Sequence, residues 1–240
     1  MQSNNESLPL RLNNVSYCVD EITLIKNVSL EITSPGTTVI LGHNGSGKSL
    51  LLKLMHGVIN PSSGQITWNN NHPNTNQFWR TFLLQRPTFF KQSVLSNVEF
   101  VLRIANTPKS EYKTRCQQAL EICGLSKLAD RNTHSLSGGE LQKLSLARAW
   151  VLEPSVVLLD EPTVALDPPS VLGFENIIQQ FKQSNTKVIM TTHDLSQAKR
   201  LADEIVFIDS GKVVEKSSAE KFFSGPESSQ AQNFICGELV

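Results

Sequence analysis

The chain has 240 residues, 22 basic and 22 acidic side chains, and 39% apolar residues. At roughly 100–200 residues per domain it can bury one sizeable core, which excludes three complete domains. Its balanced charge excludes dependence on an overall basic surface, so no nucleic-acid partner is expected.

The first ten residues, Met1 to Leu10, carry Glu6 and no basic start before an apolar run, so they do not read as a signal peptide and the chain is expected to stay in the cytosol. Apolar runs reach only four residues, as in Val156–Leu159 and Ile205–Ile208, whereas a membrane-spanning helix needs about 20. Val28, Leu30 and Ile32 alternate with polar residues and read as a strand; Thr37–Leu41 reads as another after the Pro35-Gly36 turn. A Gly-rich loop leads to a helix over Leu50–His56, stopped by Gly57. Pro61–Gly64 predicts a turn, Ile66–Trp68 a short strand, and Asn69–Asn76 a solvated polar loop without chemistry. Strand-like Thr81–Leu84 ends at Gln85-Arg86-Pro87, and helical patterns follow at about Val94–Ile104 and Glu111–Cys123.

From residue 138 helices and strands alternate: Gly139–Leu152, Val156–Asp160, Ser170–Lys182, Val188–Thr191, Leu195–Ala202 and Ile205–Ile208. Near-continuous apolar strands between helices indicate a parallel sheet covered on both faces. Cys18, Cys116, Cys123 and Cys236 form no CxxC, so Cys116 and Cys123 read as small buried hydrophobes, with reduced thiols and no structural metal.

The chemistry concentrates in three stretches. Gly42-His43-Asn44-Gly45-Ser46-Gly47-Lys48-Ser49 has the spacing GxxxxGK[ST] between a strand and a helix. Its glycines let backbone N–H groups face phosphate oxygens, the helix N-terminus adds positive potential, Lys48 offers an ammonium and Ser49 a hydroxyl for Mg²⁺. Val156–Asp160 is a buried strand ended by Asp160-Glu161. In a parallel sheet that end reaches the phosphate loop, so Asp160 suits the metal's water shell and Glu161 the polarisation of an attacking water. Leu136-Ser137-Gly138-Gly139-Glu140 puts a hydroxyl and two glycines at a helix N-terminus, which suits either a helix cap or a second anion site.

In this order the stretches resemble the Walker A, Walker B and signature motifs of ATP-binding cassette (ABC) ATPases, over nearly the whole chain. Tyr17 stands where that family has an adenine-stacking aromatic, Gln85 resembles its Q-loop glutamine, Ala165-Leu166-Asp167 its D-loop, and His193 its switch histidine. Leu50 where many relatives have Thr, and Glu140-Leu141-Gln142-Lys143 after the signature, are the departures; Lys143 for Arg alters how a contact there is shared.

The resemblance implies one α/β domain over 1–240: a P-loop core with a mainly parallel sheet, an N-terminal antiparallel β subdomain and an inserted helical subdomain at about 88–150. It implies ATP and Mg²⁺, with Lys48, Glu161, His193 and Gln85 catalytic and Ser49, Gln85 and Asp160 at the metal. It further implies a homodimer sandwiching ATP, in which Ser137, Gly138, Gly139 and Asp167 of one copy complete the other's site. A separate transmembrane permease, a substrate-binding protein and a peripheral place on the cytoplasmic face of the inner (plasma) membrane follow from membership of a transporter. About 50 residues between Gln85 and the signature leave no room for the coiled coil of chromosome-type relatives, which disfavours the soluble, non-transport alternative. Phe89 and Phe90 suit either a groove for a permease helix or core packing. His193–Glu204 and the stretch from Phe222-Phe223 to Gly237-Glu238-Leu239 are similar to ATPase subunits of tungstate importers, with phosphate and molybdate importers as alternatives.

Overall fold

A computed structural model describes residues 7–69, 79–85, 87–164 and 166–237. The polar loop expected at Asn69–Asn76 lies outside the described residues after Asn69, as do Met1–Glu6, Arg86, Ala165 and Glu238–Val240.

Two long antiparallel strands, β1 (Leu10–Val19) and β2 (Ile22–Ile32), are joined by Asp20 and Glu21, both in the left-handed region that a two-residue hairpin of this twist requires. The predicted alternation at Val28, Leu30 and Ile32 forms the buried face of β2. β1 escapes a period-two reading because its register slips between Leu12 and Val15, where Asn14 takes a φ of 51°.

Next come β3 (Thr37–Leu41), α1 (Lys48–His56) and β4 (Ser63–Trp68). α1 starts two residues before its predicted onset, which puts Lys48 and Ser49 in its first turn. β4 includes half of the predicted turn: Gly64 has φ 84°, and a Cβ there would lie 2.4–2.5 Å from the carbonyls of Asn13 and Asn14. The irregularity of β1 thus needs a glycine opposite it. β4 pairs with β1, giving a three-stranded sheet in the order β2-β1-β4.

β5 (Arg80–Leu83) leads into a helical insert of α2 (Val94–Ile104) and α3 (Lys109–Ile122), which pack on α4 (Gly138–Trp150). The remaining elements are β6 (Val156–Asp160), α5 (Pro168–Gln183), β7 (Lys187–Thr192), α6 (Leu195–Leu201), β8 (Glu204–Asp209), β9 (Lys212–Ser218), α7 (Ala219–Ser224) and α8 (Ser229–Cys236). The last three lack a long apolar period and are not anticipated from the sequence. β9 forms a hairpin with β8 through Ser210 and Gly211, again at positive φ.

The second sheet has the order β5-β6-β7-β3-β8-β9, parallel except for β9. Both its faces are covered, which explains the unbroken apolar runs. Val39, Leu41, Val157, Leu159, Val188 and Met190 join one core with α2–α6, whereas Ile40, Val156, Leu158 and Ile189 join the other with α1 and the small sheet. Cys116 and Cys123 are buried in the first core; burial raises both thiols, to about 11 and about 12, while Cys18 and Cys236 are exposed. Among the described residues no helix is long and apolar enough to cross a membrane.

Candidate active site

The C-terminal ends of β3, β6 and β7 meet at one edge of the sheet. From β3, Gly42 to Gly47 turn into α1 with Gly45 at φ 80° and Gly47 at φ 106°, conformations that side chains resist. Gly42 has a second constraint, since an added Cβ would lie 2.2 Å from the Ile208 carbonyl of β8. The loop is held by Ser46 N–H donating to the His43 carbonyl (3.2 Å) and Gly211 N–H donating to that of Ser46 (2.9 Å). It therefore presents the N-terminus of α1, with its unsatisfied amides, as a preformed seat for an anion.

Lys48 is 4% exposed and curls back into this loop. Its ammonium donates to the carbonyls of Gly42 (3.0 Å) and His43 (2.9 Å) and pairs with the Glu161 carboxylate at 3.0 Å. Glu161 reaches it by an unusual route: its φ is 40°, which turns the chain sharply at the end of β6. On its other side Nδ1 of His193 lies 3.3 Å from Oε2 of Glu161. Asp194 caps α6 by accepting from the amides of Ser196 and Gln197, which fixes the turn just after His193.

Asp160 is buried, and its Oδ1 accepts from the hydroxyls of Ser49 (2.7 Å) and Thr191 (2.9 Å). Thr191 in turn accepts from the amide of Glu161 at 2.8 Å. It is a site residue that the sequence reading missed, since there it reads as the end of an apolar strand. The available signal was a buried hydroxyl opposite Asp160 in the paired strand.

Other expected residues are placed farther out. Tyr17 is half-buried and pairs across the hairpin with Ile25, whose side chain meets Gly47. Gln85 lies just past β5, next to β6, and its carbonyl accepts from Gln142 of α4. Ser137 caps α4 in a capping box with Glu140, so the cap reading of that stretch holds for this hydroxyl. Gly139 abuts α5: a Cβ there would lie 2.3 Å from Ser170 Oγ. The Ser170 side chain also holds the Asp167 carboxyl below its ordinary value. Phe89 packs on the first core with Arg148 over its ring, whereas Phe90 is exposed and lies tilted against the Phe100 ring. Side-chain bonds join the elements that carry these groups: Gln197 donates to Thr163 (2.9 Å), and Arg200 grips the buried Glu175 with two bonds of 2.7 and 2.8 Å.

Comparison with known proteins gives a consistent picture. The family model described as ABC transporter matches residues 25–164. The phosphate import ATP-binding protein PstB 2 of Natronomonas pharaonis is 32% identical, over 94% of this chain and 86% of its own length. The tungstate uptake system ATP-binding protein TupC of Peptoclostridium acidaminophilum is 31% identical, over 90% of this chain and all of its own length. Import proteins for amino acids and for sulfate match at 29% and 33% identity. The solved structure of cbiO1 from Clostridium perfringens, described as part of the ABC transporter complex cbiONQ, superposes with a TM-score of 0.82 at 28% identity, covering 90% of each chain.

Proposed function

Because this chain belongs to the ABC transporter family and is an ABC transporter ATPase, we propose that it powers import of a small oxyanion, tungstate first, through a separate permease. The observation that carries the ATPase chemistry is the convergence of Lys48, Glu161, His193, Ser49 and Asp160 at one sheet edge. ATP phosphates seat on the amides of Gly42 to Ser49, and their charge competes with Glu161 for the Lys48 ammonium. Glu161, released from that pair, accepts the proton of the attacking water, and His193 holds its carboxylate from the other side and faces the γ-phosphate.

Ser49 and Asp160 offer two oxygens 2.7 Å apart beside the loop, the hard donors that Mg²⁺ prefers, so the residues fit the ion. When bound, Mg²⁺ supplies neutralisation of phosphate charge. Gln85, farther out past β5, links the metal site to the permease side. Tyr17 stacks on adenine, and Ser137, Gly138, Gly139 and Asp167 act across a homodimer on the partner's ATP. On this reading 1–240 is one ABC ATPase domain, with 88–150 as its helical subdomain.

Glu161→Gln should leave ATP binding intact and lower turnover by roughly 100- to 10,000-fold. With ATP and Mg²⁺ it should sediment as a dimer; near-normal hydrolysis would remove Glu161 from its role.

The transport reading places the chain peripherally on the cytoplasmic face of the plasma membrane, with permease subunits and a substrate-binding protein. A cavity of about 250 Å³ beside Gln85, lined by Phe82, Leu84, Pro87, Thr88 and Arg148, is a suitable seat for a permease segment. Tungstate is supported by the likeness to TupC, with phosphate and molybdate as alternatives; amino-acid import is a further one given the relatives above. Co-purification with a detergent-solubilised permease, followed by tungstate, phosphate and amino-acid uptake assays, separates these readings and the soluble, non-transport one.

A further inference from the structure

The phosphate loop touches a segment far outside residues 25–164. The His43 ring, on the second residue of the loop, lies edge-on to Phe234 of α8, with centroids 4.6 Å apart and planes at 83°. Phe234 is 7% exposed and also meets Phe207 of β8 at 5.2 Å, so its ring is held from behind by the sheet. The other end of α8 is tied down as well. Glu215 of β9 accepts from the amides of Glu227 (3.1 Å) and Ser228 (2.9 Å) and from the Ser228 hydroxyl (2.9 Å), just where Ser228 caps the helix.

The position of His43 matters because its carbonyl is one of the acceptors of the Lys48 ammonium and also accepts from Ser46 N–H. The residue whose ring packs on Phe234 is therefore the one whose carbonyl receives both donors. We infer that Phe234 is a positioning residue for ATP: through His43, α8 holds the phosphate loop in its nucleotide-accepting shape. The inference rests on the reading that ATP phosphates seat in this loop. Linkage then requires the converse, that ATP strengthens the docking of α8 by the same factor.

An aromatic pair of this geometry contributes an effect equivalent to about two- to tenfold in an equilibrium. In the full-length chain, Phe234→Ala should therefore raise the Kd for ATP by about that factor while kcat at saturating ATP changes little, and Phe234→Tyr should restore it. In a His43→Ala background, Phe234→Ala should add nothing further to the Kd. A second measurement on the unmodified protein guards against a variant that folds poorly: amide hydrogen exchange over residues 229–237 should slow when ATP is added. An unchanged Kd in Phe234→Ala, an equal increase in the His43→Ala background, or exchange indifferent to ATP would each overturn the inference. Absence in the unmodified protein of ATP binding that Lys48→Ala removes would instead overturn the reading of the loop itself, and the inference with it.

Discussion

Thr191 Oγ1 stands between two acidic neighbours, donating to the Asp160 carboxylate and accepting from the Glu161 amide. Its position supports a strained residue, since Glu161 takes φ 40° with its amide bonded to this part-buried hydroxyl. Replacing Thr191 by Val keeps the shape and removes both bonds. Stability should fall by about 1–3 kcal/mol. Turnover should fall by about 10- to 100-fold as Glu161 and Asp160 drift, with ATP affinity less affected. Steady-state kinetics beside thermal denaturation would check this. Lys48, Ser49, Asp160 and Glu161 could be picked out from sequence as candidates because each sits at a fixed offset in a recognisable run, and His193 through its resemblance to the family's switch histidine. Thr191 could not, because its importance comes from the strand paired beside it rather than from its own neighbours in the chain.

Elements were readable where one face is apolar at a regular period, as in α2 and α5, or where a short run is apolar throughout, as in β6. They were not where irregular backbone or polar side chains interrupt the period. β1 carries a register slip, and β9 and α8 are short and rich in Lys, Ser and Gln. The end of α1 shows a second limit. His56, in its last turn, lies against Phe82 of β5, and burial, followed by the nearby Arg80 charge, pushes its pKa down to about 4. Arg80 is itself buried and stacks over Trp79. The fold thus favours neutral His56. Its contribution is complete above pH 6.5 and is lost as pH falls towards 4, because the unfolded chain binds the proton first. The loss should approach about 3 kcal/mol at most, and His56→Met should flatten the stability profile over that window. Chemical denaturation of both proteins between pH 4 and 7 would show it.

At the scale of the whole molecule the parallel sheet has two polar ends with different duties. The C-terminal end carries the candidate nucleotide site, whereas the N-terminal end buries Lys187, which donates to the Ser34 carbonyl (2.9 Å) and the Thr38 hydroxyl (2.7 Å). Thr38 then donates to Glu204, which pairs with Lys216. Burial lowers the Lys187 pKa to about 8, against the opposing pull of Glu204 and Asp203. The fold therefore disfavours its charge, and stability should rise between pH 8 and 10.5 as the unfolded chain alone keeps the proton. Lys187→Met should abolish that rise, be at least as stable as the parent at pH 7 and hydrolyse ATP at the parental rate, since it lies at the far end of the sheet. Denaturation curves across that pH range, with an ATPase assay, test the separation of the two ends.

The family, the covered parallel sheet and the candidate residues at the Gly-rich loop and the end of β6 are legible in one dimension, because backbone reach and strand burial impose local spacings that survive there. That Lys48 pairs with Glu161, that Thr191 joins Asp160 to Glu161, and that α8 lies against His43 emerges in three dimensions alone. These contacts join positions 113, 31 and 191 residues apart, and such distances are set by how strands and helices pack, which no local pattern encodes.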